Sequence, residues 1–233
     1  LGANILADFS QNCRAIASDE VRQAGLVMEA GHPLAGLTGG IACGKSTVAA
    51  YLRKKGCPVI NADKVGHLVL KPGQPAYNQI LEIFGERILT DKKEINRKAL
   101  GNIIFNDRQA REHLNKISHP PIAKLIEERL LDFSRFLDSG KSVFLEAALL
   151  IESQWRTRCD KIWVVTAPTD QILQRLQLRN GLTAEQAQAR IDSQLRHEER
   201  LPYADVVLEN HGLLADLLKQ VDRALAQLEV MES

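Results

Sequence analysis

Gly36-Leu37-Thr38-Gly39-Gly40-Ile41-Ala42-Cys43-Gly44-Lys45-Ser46-Thr47 is the stretch that decides the fold. Within it, Gly39 to Ser46 complete the pattern G-x-x-x-x-G-K-[ST], between an apolar run suited to a strand (34–38) and a helical pattern (45–55). At average residue frequencies the pattern arises by chance in roughly 1% of chains of this length. Glycines let the backbone wrap and aim its N–H groups inward, and the following helix turns its positive end to the same anion. Gly39, Gly40, Ile41, Ala42, Cys43, Gly44, Lys45, Ser46 and Thr47 therefore form a cradle for the polyphosphate of ATP. Lys45 reaches the β and γ phosphates as a point charge. The Ser46 hydroxyl supplies one oxygen to Mg²⁺, with substrate oxygens and water completing the octahedron. Cys43 is either a tolerated small residue or a thiol activated by the helix N-terminus.

Outward from this loop, short β-rich runs alternate with longer helical patterns, the signature of a mostly parallel sheet covered by helices. Strands are expected at 34–38, 58–61, 142–146, 161–166 and 205–208. Helices are expected at 45–55, 75–84, 97–105, 108–117, 121–137, 169–178, after a Thr183/Gln186 capping box, and at 213–228. The fold class is thus α/β with five strands. Residues 1–33, where Asp8, Asp19, Glu20 and Glu29 outnumber Arg14 and Arg22, read as an extension of unknown role rather than a targeting peptide.

The composition narrows the chemistry. A chain of 233 residues with 45% hydrophobic and 25% charged residues has enough core for one globular domain. With 30 Lys and Arg against 29 Asp and Glu, the net charge of +1 provides no global field for nucleic acid or an anionic membrane. Cys13, Cys43, Cys57 and Cys159 form no C-x-x-C pair and the six histidines no H-E-x-x-H, which points away from a zinc site and a disulfide framework and toward a reducing, cytoplasmic setting. No apolar run approaches the roughly 18 residues a bilayer requires.

Three acids and a set of arginines are candidates for the chemistry. Asp63 closes the second strand, where side chains of an open α/β sheet face the ligand crevice, and is placed to act as general base; alternatively it caps the next helix. Asp63 and Gly66 also spell D-x-x-G, a GTPase switch element, yet the guanine-reading N-K-x-D is missing: Asn115-Lys116 continues with Ile117 and Ser118. Glu146 ends the third apolar strand as a metal-supporting acid does, and Glu152 follows six residues on; each could hold a Mg²⁺-bound water or a basic partner. Arg175 and Arg179, four apart, share a helix face, and with Arg190 and Gly181 they suggest a helix–turn–helix lid over ATP. A generic charged face accounts for the same spacing, and His119-Pro120 reads equally as a helix start.

Taken together, the motifs resemble those of dephospho-CoA kinases. The resemblance is carried by residues 36–47, Asn61-Ala62-Asp63, Ile95-Asn96-Arg97 with Leu100, His119-Pro120, and Ala148-Leu149-Leu150-Ile151-Glu152. Toward the C-terminus it continues through residues 171–176 with Arg179, Arg190 and Gln194, then Ala204-Asp205 and Asn210. It implies a three-layer α/β/α P-loop fold related to nucleoside monophosphate kinases, with a helical acceptor-binding region at about 64–138 and a lid at about 175–195. The implied reaction is transfer of the ATP γ-phosphate to the 3′-hydroxyl of dephospho-CoA, with Mg²⁺. On this resemblance Asp63 is the catalytic aspartate, and Arg97, His119 and Glu152 belong to the acceptor side. Lys45, Arg175 and Arg179 face the phosphates, Asn210 lies near the adenine, and Ser46 holds Mg²⁺ with Glu146 or Asp63 acting through water. Four positions depart from the family pattern. Asn61 and Glu146 stand where Asp is usual, and Ala42-Cys43 stands where small residues such as Gly and Ser are usual. Ala42 is tolerable there if its φ is negative. Another nucleotide or small-molecule kinase, or a nucleotide-dependent switch, are the competing readings.

Overall fold

The computed structural model describes residues 32–137 and 141–230. The expected extension lies almost wholly outside them. Five strands, β1 (Leu34–Gly39), β2 (Val59–Asn61), β3 (Val143–Glu146), β4 (Lys161–Thr166) and β5 (Val206–Glu209), form one sheet in the order β2-β3-β1-β4-β5. Every pairing is parallel, so the sheet is wholly and not just mostly parallel. Each strand lies within a residue or so of its expected position.

Helices cover both faces, because strand side chains alternate and each face is apolar. On one face Ala35, Leu37, Phe144, Trp163 and Val165 pack beneath α1 (Lys45–Lys54) and α9 (Leu214–Val230) through Val48, Leu52, Leu217 and Val221. Phe144 and Trp163 meet there edge to face, ring centroids 5.0 Å apart. On the other face Ile60, Val143, Leu145, Ile162 and Val164 pack against Val65 of α2 (Ala62–Val69) and Ile126 and Leu130 of α5 (Arg108–Phe136). A third, smaller core joins Ile80 and Phe84 of α3 (Pro75–Phe84), Leu100 and Ile104 of α4 (Arg97–Asn106), and Leu114 of α5. This core lets the helical region between β2 and β3 stand off the sheet and enclose space of its own.

In place of the two helices expected at 108–117 and 121–137 there is one, α5, running through Pro120 and Pro121. Proline inside a helix costs about 3 kcal/mol or more through a lost hydrogen bond and a clash. Here the two halves are held by different cores, Leu114 in the helical one and Ile126 and Leu130 against the sheet, so packing keeps the axis continuous.

After β4 come α6 (Thr169–Asn180) and α7 (Ala184–Asp192), joined through Gly181 in the left-handed region, then the single turn α8 (His197–Arg200). The Thr183/Gln186 capping box is formed as expected. Among the described residues no helix is long and apolar enough to cross a membrane.

The loop between β1 and α1 corrects one expectation: Ala42 has φ +55°. A side chain there costs roughly 1–2 kcal/mol, since Cβ crowds the following carbonyl oxygen. Arg175 Nη1 donates to the Ala42 carbonyl at 3.2 Å and Asn210 Nδ2 to the Cys43 carbonyl at 2.8 Å, and these contacts hold the strained shape. Ala42→Gly is expected to stabilise the fold by about 1 kcal/mol, a gain of roughly 2–4 °C in Tm by calorimetry.

Candidate active site

Two cavities meet at Asp63. The first, ≈ 720 Å³, is lined by the whole loop from Gly39 to Thr47, by Asp63 and Glu146, and by Arg175, Leu178, Arg179, Gln194 and Asn210. It opens at the carboxyl ends of β1 and β3, where strand order reverses and ligands of open α/β sheets bind. The second, ≈ 630 Å³, lies in the helical region and is lined by Asp63, Gly66, His67, Arg97, His119 and Trp155, with apolar walls from Leu100, Leu114, Ile122 and Ile126.

Backbone freedom is essential at Gly44, whose φ is +106° and where an added Cβ would lie 2.3 Å from Asn210 Nδ2. Lys45 sits at the start of α1 with its Nζ 4.0 Å from Asp63 Oδ2. Asp63 does not cap α2. Asn61 does, its Oδ1 accepting from the Lys64 N–H at 2.7 Å, and the Asp63 carboxylate in the first turn faces Lys45 instead. The other end of the Asn61 amide donates to Glu146 Oε2 at 2.7 Å, an oxygen that also lies 3.5 Å from Arg53 Nη2. One amide thus caps a helix and donates a hydrogen bond to a buried acid. An ionised carboxylate could do the first but not the second. At Gly66, the other half of the D-x-x-G, a Cβ would meet Ile122 at 3.5 Å, an ordinary van der Waals contact, so packing against α5 does not demand glycine there.

Cys43 is 2% exposed and packs into the core behind the loop, and burial raises its thiol pKa. It is a protonated packing residue and not an activated thiol, the first of the two alternatives.

Arg175 is tied down more firmly than a swinging lid residue. Besides Ala42 it donates to the Asn210 carbonyl at 3.2 Å and to Gln171 Oε1 at 3.0 Å. Arg179, one turn on, is exposed at the cavity rim and donates to Asn180 Oδ1. Arg190 on α7 is exposed and is not among the residues lining either cavity.

In the second cavity the Arg97 guanidinium donates to His67 Nε2, and burial together with that positive neighbour lowers the His67 pKa. Burial alone brings His119 down to about 4, so its imidazole is neutral at physiological pH. Trp155, 5% exposed, forms part of the wall; Arg158 stacks on its ring at 4.3 Å and is held by Glu127 at 2.6 Å. Glu152 departs from expectation. It lines neither cavity but is partly buried, with its charge set against Arg200, and burial raises its pKa. It follows β3 by six residues, enough for the chain to turn behind the loop.

The sequence reading assigned nothing to Trp155, Leu178 or Arg200. Neither does any local pattern reveal them, since packing across distant segments places each one. Gln194, named only among the residues that carry the resemblance, accepts from the Ile41 N–H at 2.7 Å and so ties the end of the lid to the loop.

Comparison with known proteins now bears on this geometry. Residues 34–216 match the family model described as Dephospho-CoA kinase. The chain belongs to the dephospho-CoA kinase family. It is 42% identical over 198 residues to a dephospho-CoA kinase of Geobacillus kaustophilus, covering 84% of this chain and 97% of the relative. With that of Carboxydothermus hydrogenoformans identity is 40% over 190 residues, covering 81% and 91%. Among solved structures, a Thermus thermophilus protein superposes with a TM-score of 0.74 at 34% identity, covering 84% of this chain and 98% of that one. Dephospho-CoA kinase from Campylobacter jejuni superposes with 0.64 at 30%, covering 86% and 98%. Members of the dephospho-CoA kinase family are ATP-dependent phosphotransferases, and a nucleotide cavity joined to an acceptor cavity at one carboxylate suits that chemistry.

Two outcomes follow from the charges. His119, below its ordinary 6.5 when folded, makes the protein lose stability as pH falls from 6.5 to about 4, because the unfolded chain takes up the proton first. Urea titrations across that range should show the decline, and His119→Gln should flatten it. Asn61→Asp should set a second carboxylate against Glu146 and destabilise by roughly 1–3 kcal/mol at pH 7.5, measured by urea titration.

Proposed function

We propose that ATP binds along the loop cavity and dephospho-CoA fills the helical cavity, with the 3′-hydroxyl of its ribose set against Asp63. The observation that carries this reading is that Asp63 lines both cavities and faces Lys45. A group that must touch acceptor oxygen and γ-phosphate at once has to stand where the two spaces join.

In the step proposed, the acceptor oxygen attacks the γ phosphorus in line. The new O–P bond forms as the bond to the bridging oxygen of ADP breaks, and the hydroxyl proton passes to Asp63. The transition state is loose, so most of the acceleration comes from positioning and charge. Lys45 and the loop N–H groups hold the β and γ phosphates. Arg179, at the rim, brings further positive charge onto them as the lid closes, while Arg175 keeps the loop and the 210 region in register. Asn210, which lines the same cavity and holds the Cys43 carbonyl, borders the adenine end. On the acceptor side, Arg97 offers charge to a phosphate of the substrate, and neutral His119 and Trp155 offer hydrogen-bonding and apolar surface.

The residues present also suit Mg²⁺. Ser46 is exposed toward the cavity, and the Glu146 carboxylate lines it. Among the described residues no group of three or more His, Cys, Asp and Glu side chains is arranged to hold a metal. The ion would therefore take its oxygens from Ser46, the nucleotide and water, with Glu146 or Asp63 contacting it through water. Once bound it would neutralise charge on the β and γ oxygens.

The test is an ADP-release assay with dephospho-CoA, AMP and uridine as alternative acceptors, with mass spectrometry of the product. Dephospho-CoA should be the preferred acceptor and should gain one phosphoryl group; preference for AMP would overturn the assignment. Asp63→Asn should reduce kcat by about 100-fold or more while leaving ATP affinity nearly intact. Lys45→Ala should damage both, and near-normal turnover of Asp63→Asn would remove the proposed base.

A further inference from the structure

Arg200 is 4% exposed, an unusual state for a guanidinium, and its Nε and Nη2 are buried with no hydrogen-bond partner. The side chain lies directly behind the phosphate loop. A Cβ built on Gly40 would stand 3.3 Å from Arg200 Nη1 and 3.7 Å from Gln194 Oε1. Gln194 in turn accepts from the next N–H, that of Ile41. Behind Arg200 stands Glu152, one of whose carboxylate oxygens is also buried without a hydrogen-bond partner.

A buried cation costs several kcal/mol in lost hydration, and a single buried carboxylate offsets this only in part. Some other charge or constraint has to account for its place. The chain shows which one: Gln194 and Arg200 both lie on the segment returning from the lid, six residues apart, and both meet the turn at Gly40 and Ile41. That turn is the part of the cradle that neither Arg175 nor Asn210 reaches, since those two hold the carbonyls of Ala42 and Cys43.

We propose that Arg200 is a positioning residue for ATP: backed by Glu152 and paired with Gln194, it props the Gly40–Ile41 turn in the shape that receives the triphosphate. Its charge adds to the positive potential behind the loop, and its planar fork fixes the distance between lid return and cradle. The electrostatics agree: burial lowers the Arg200 pKa, while the carboxylates of Glu152 and Glu199 act the other way and favour the charged guanidinium. This inference rests on the reading of the loop as the ATP site but not on the identity of the acceptor.

The test compares Arg200→Lys with the double variant Arg200→Met/Glu152→Gln. The lysine keeps a charge before Glu152 but loses the fork. The double variant removes both charges and so avoids leaving an unpaired carboxylate buried. A fluorescent ATP analogue measures binding, steady-state kinetics give KM for each substrate, and thermal melting reports the fold. Both variants should melt near the parent, bind the analogue about tenfold more weakly and raise KM for ATP, with KM for dephospho-CoA unchanged. Parental ATP binding in both variants, or equal loss for the two substrates, would overturn the proposal. If Arg200→Lys alone melts early while the double variant regains both stability and ATP binding, the pair is merely structural and the proposal also fails. Parental protein that binds the analogue without phosphorylating dephospho-CoA would defeat the acceptor assignment and leave this inference standing.

Discussion

The phosphate loop has to keep its amide groups pointed at a space rather than at each other, and no part of its own sequence enforces that. Its side-chain hydrogen bonds come from elsewhere: Arg175 on α6, Asn210 after β5 and Gln194 after α7 each hold one peptide group of the turn. The left-handed Ala42 shows how firmly they do so, since the turn accepts a strained alanine and remains in place. In an anion site built from backbone dipoles, fixed orientation is what makes the dipoles effective, because little free energy is then spent reorienting them when the anion arrives. The rest of the structure serves this requirement. The parallel sheet aims β1 into the loop, α1 brings its N-terminus behind it, and the lid segments lock it from two sides.

A second constraint is the separation of two binding spaces. The sheet with its two flanking layers would provide one crevice only. The small helical core of Ile80, Phe84, Ile88, Leu100, Ile104 and Leu114 creates the other by holding α3 and α4 away from the sheet. Asp63 stands at the seam because β2 ends there and α2 begins at once, leaving the acid in the first turn of the helix. Asn61 relieves it of capping, and the same amide quiets Glu146. The departure at position 61 from the family's usual acid is thus paired with the longer acid at position 146: one hydrogen bond joins the two.

Much of this was legible in the residues. Five strands and the parallel arrangement could be read because strands buried on both faces are short apolar runs bounded by turn residues, and helices between them repeat at 3.6. The loop pattern was legible because few residue types tolerate that backbone. The capping box at Thr183 was legible because both its hydrogen bonds are local. Where the residues misled, the origin is tertiary. The break expected at Pro120 was a local judgement, and the condition set on Ala42, a negative φ, was a local one too; contacts from segments distant in the chain override both.

Sequence by itself determined the chemistry available: a phosphate cradle, a lysine and hydroxyl within it, an aspartate after the second strand, and a family pattern around them. Tertiary structure alone decided which side chains meet. It turned Asp63 toward Lys45, set the charge of Glu152 against Arg200, and buried a guanidinium behind Gly40, 160 positions away in the sequence. The physical reason is that residue type and short spacing govern backbone preference and local hydrogen bonds. The energy of a buried charge, in contrast, depends on neighbours that only the packed core assembles.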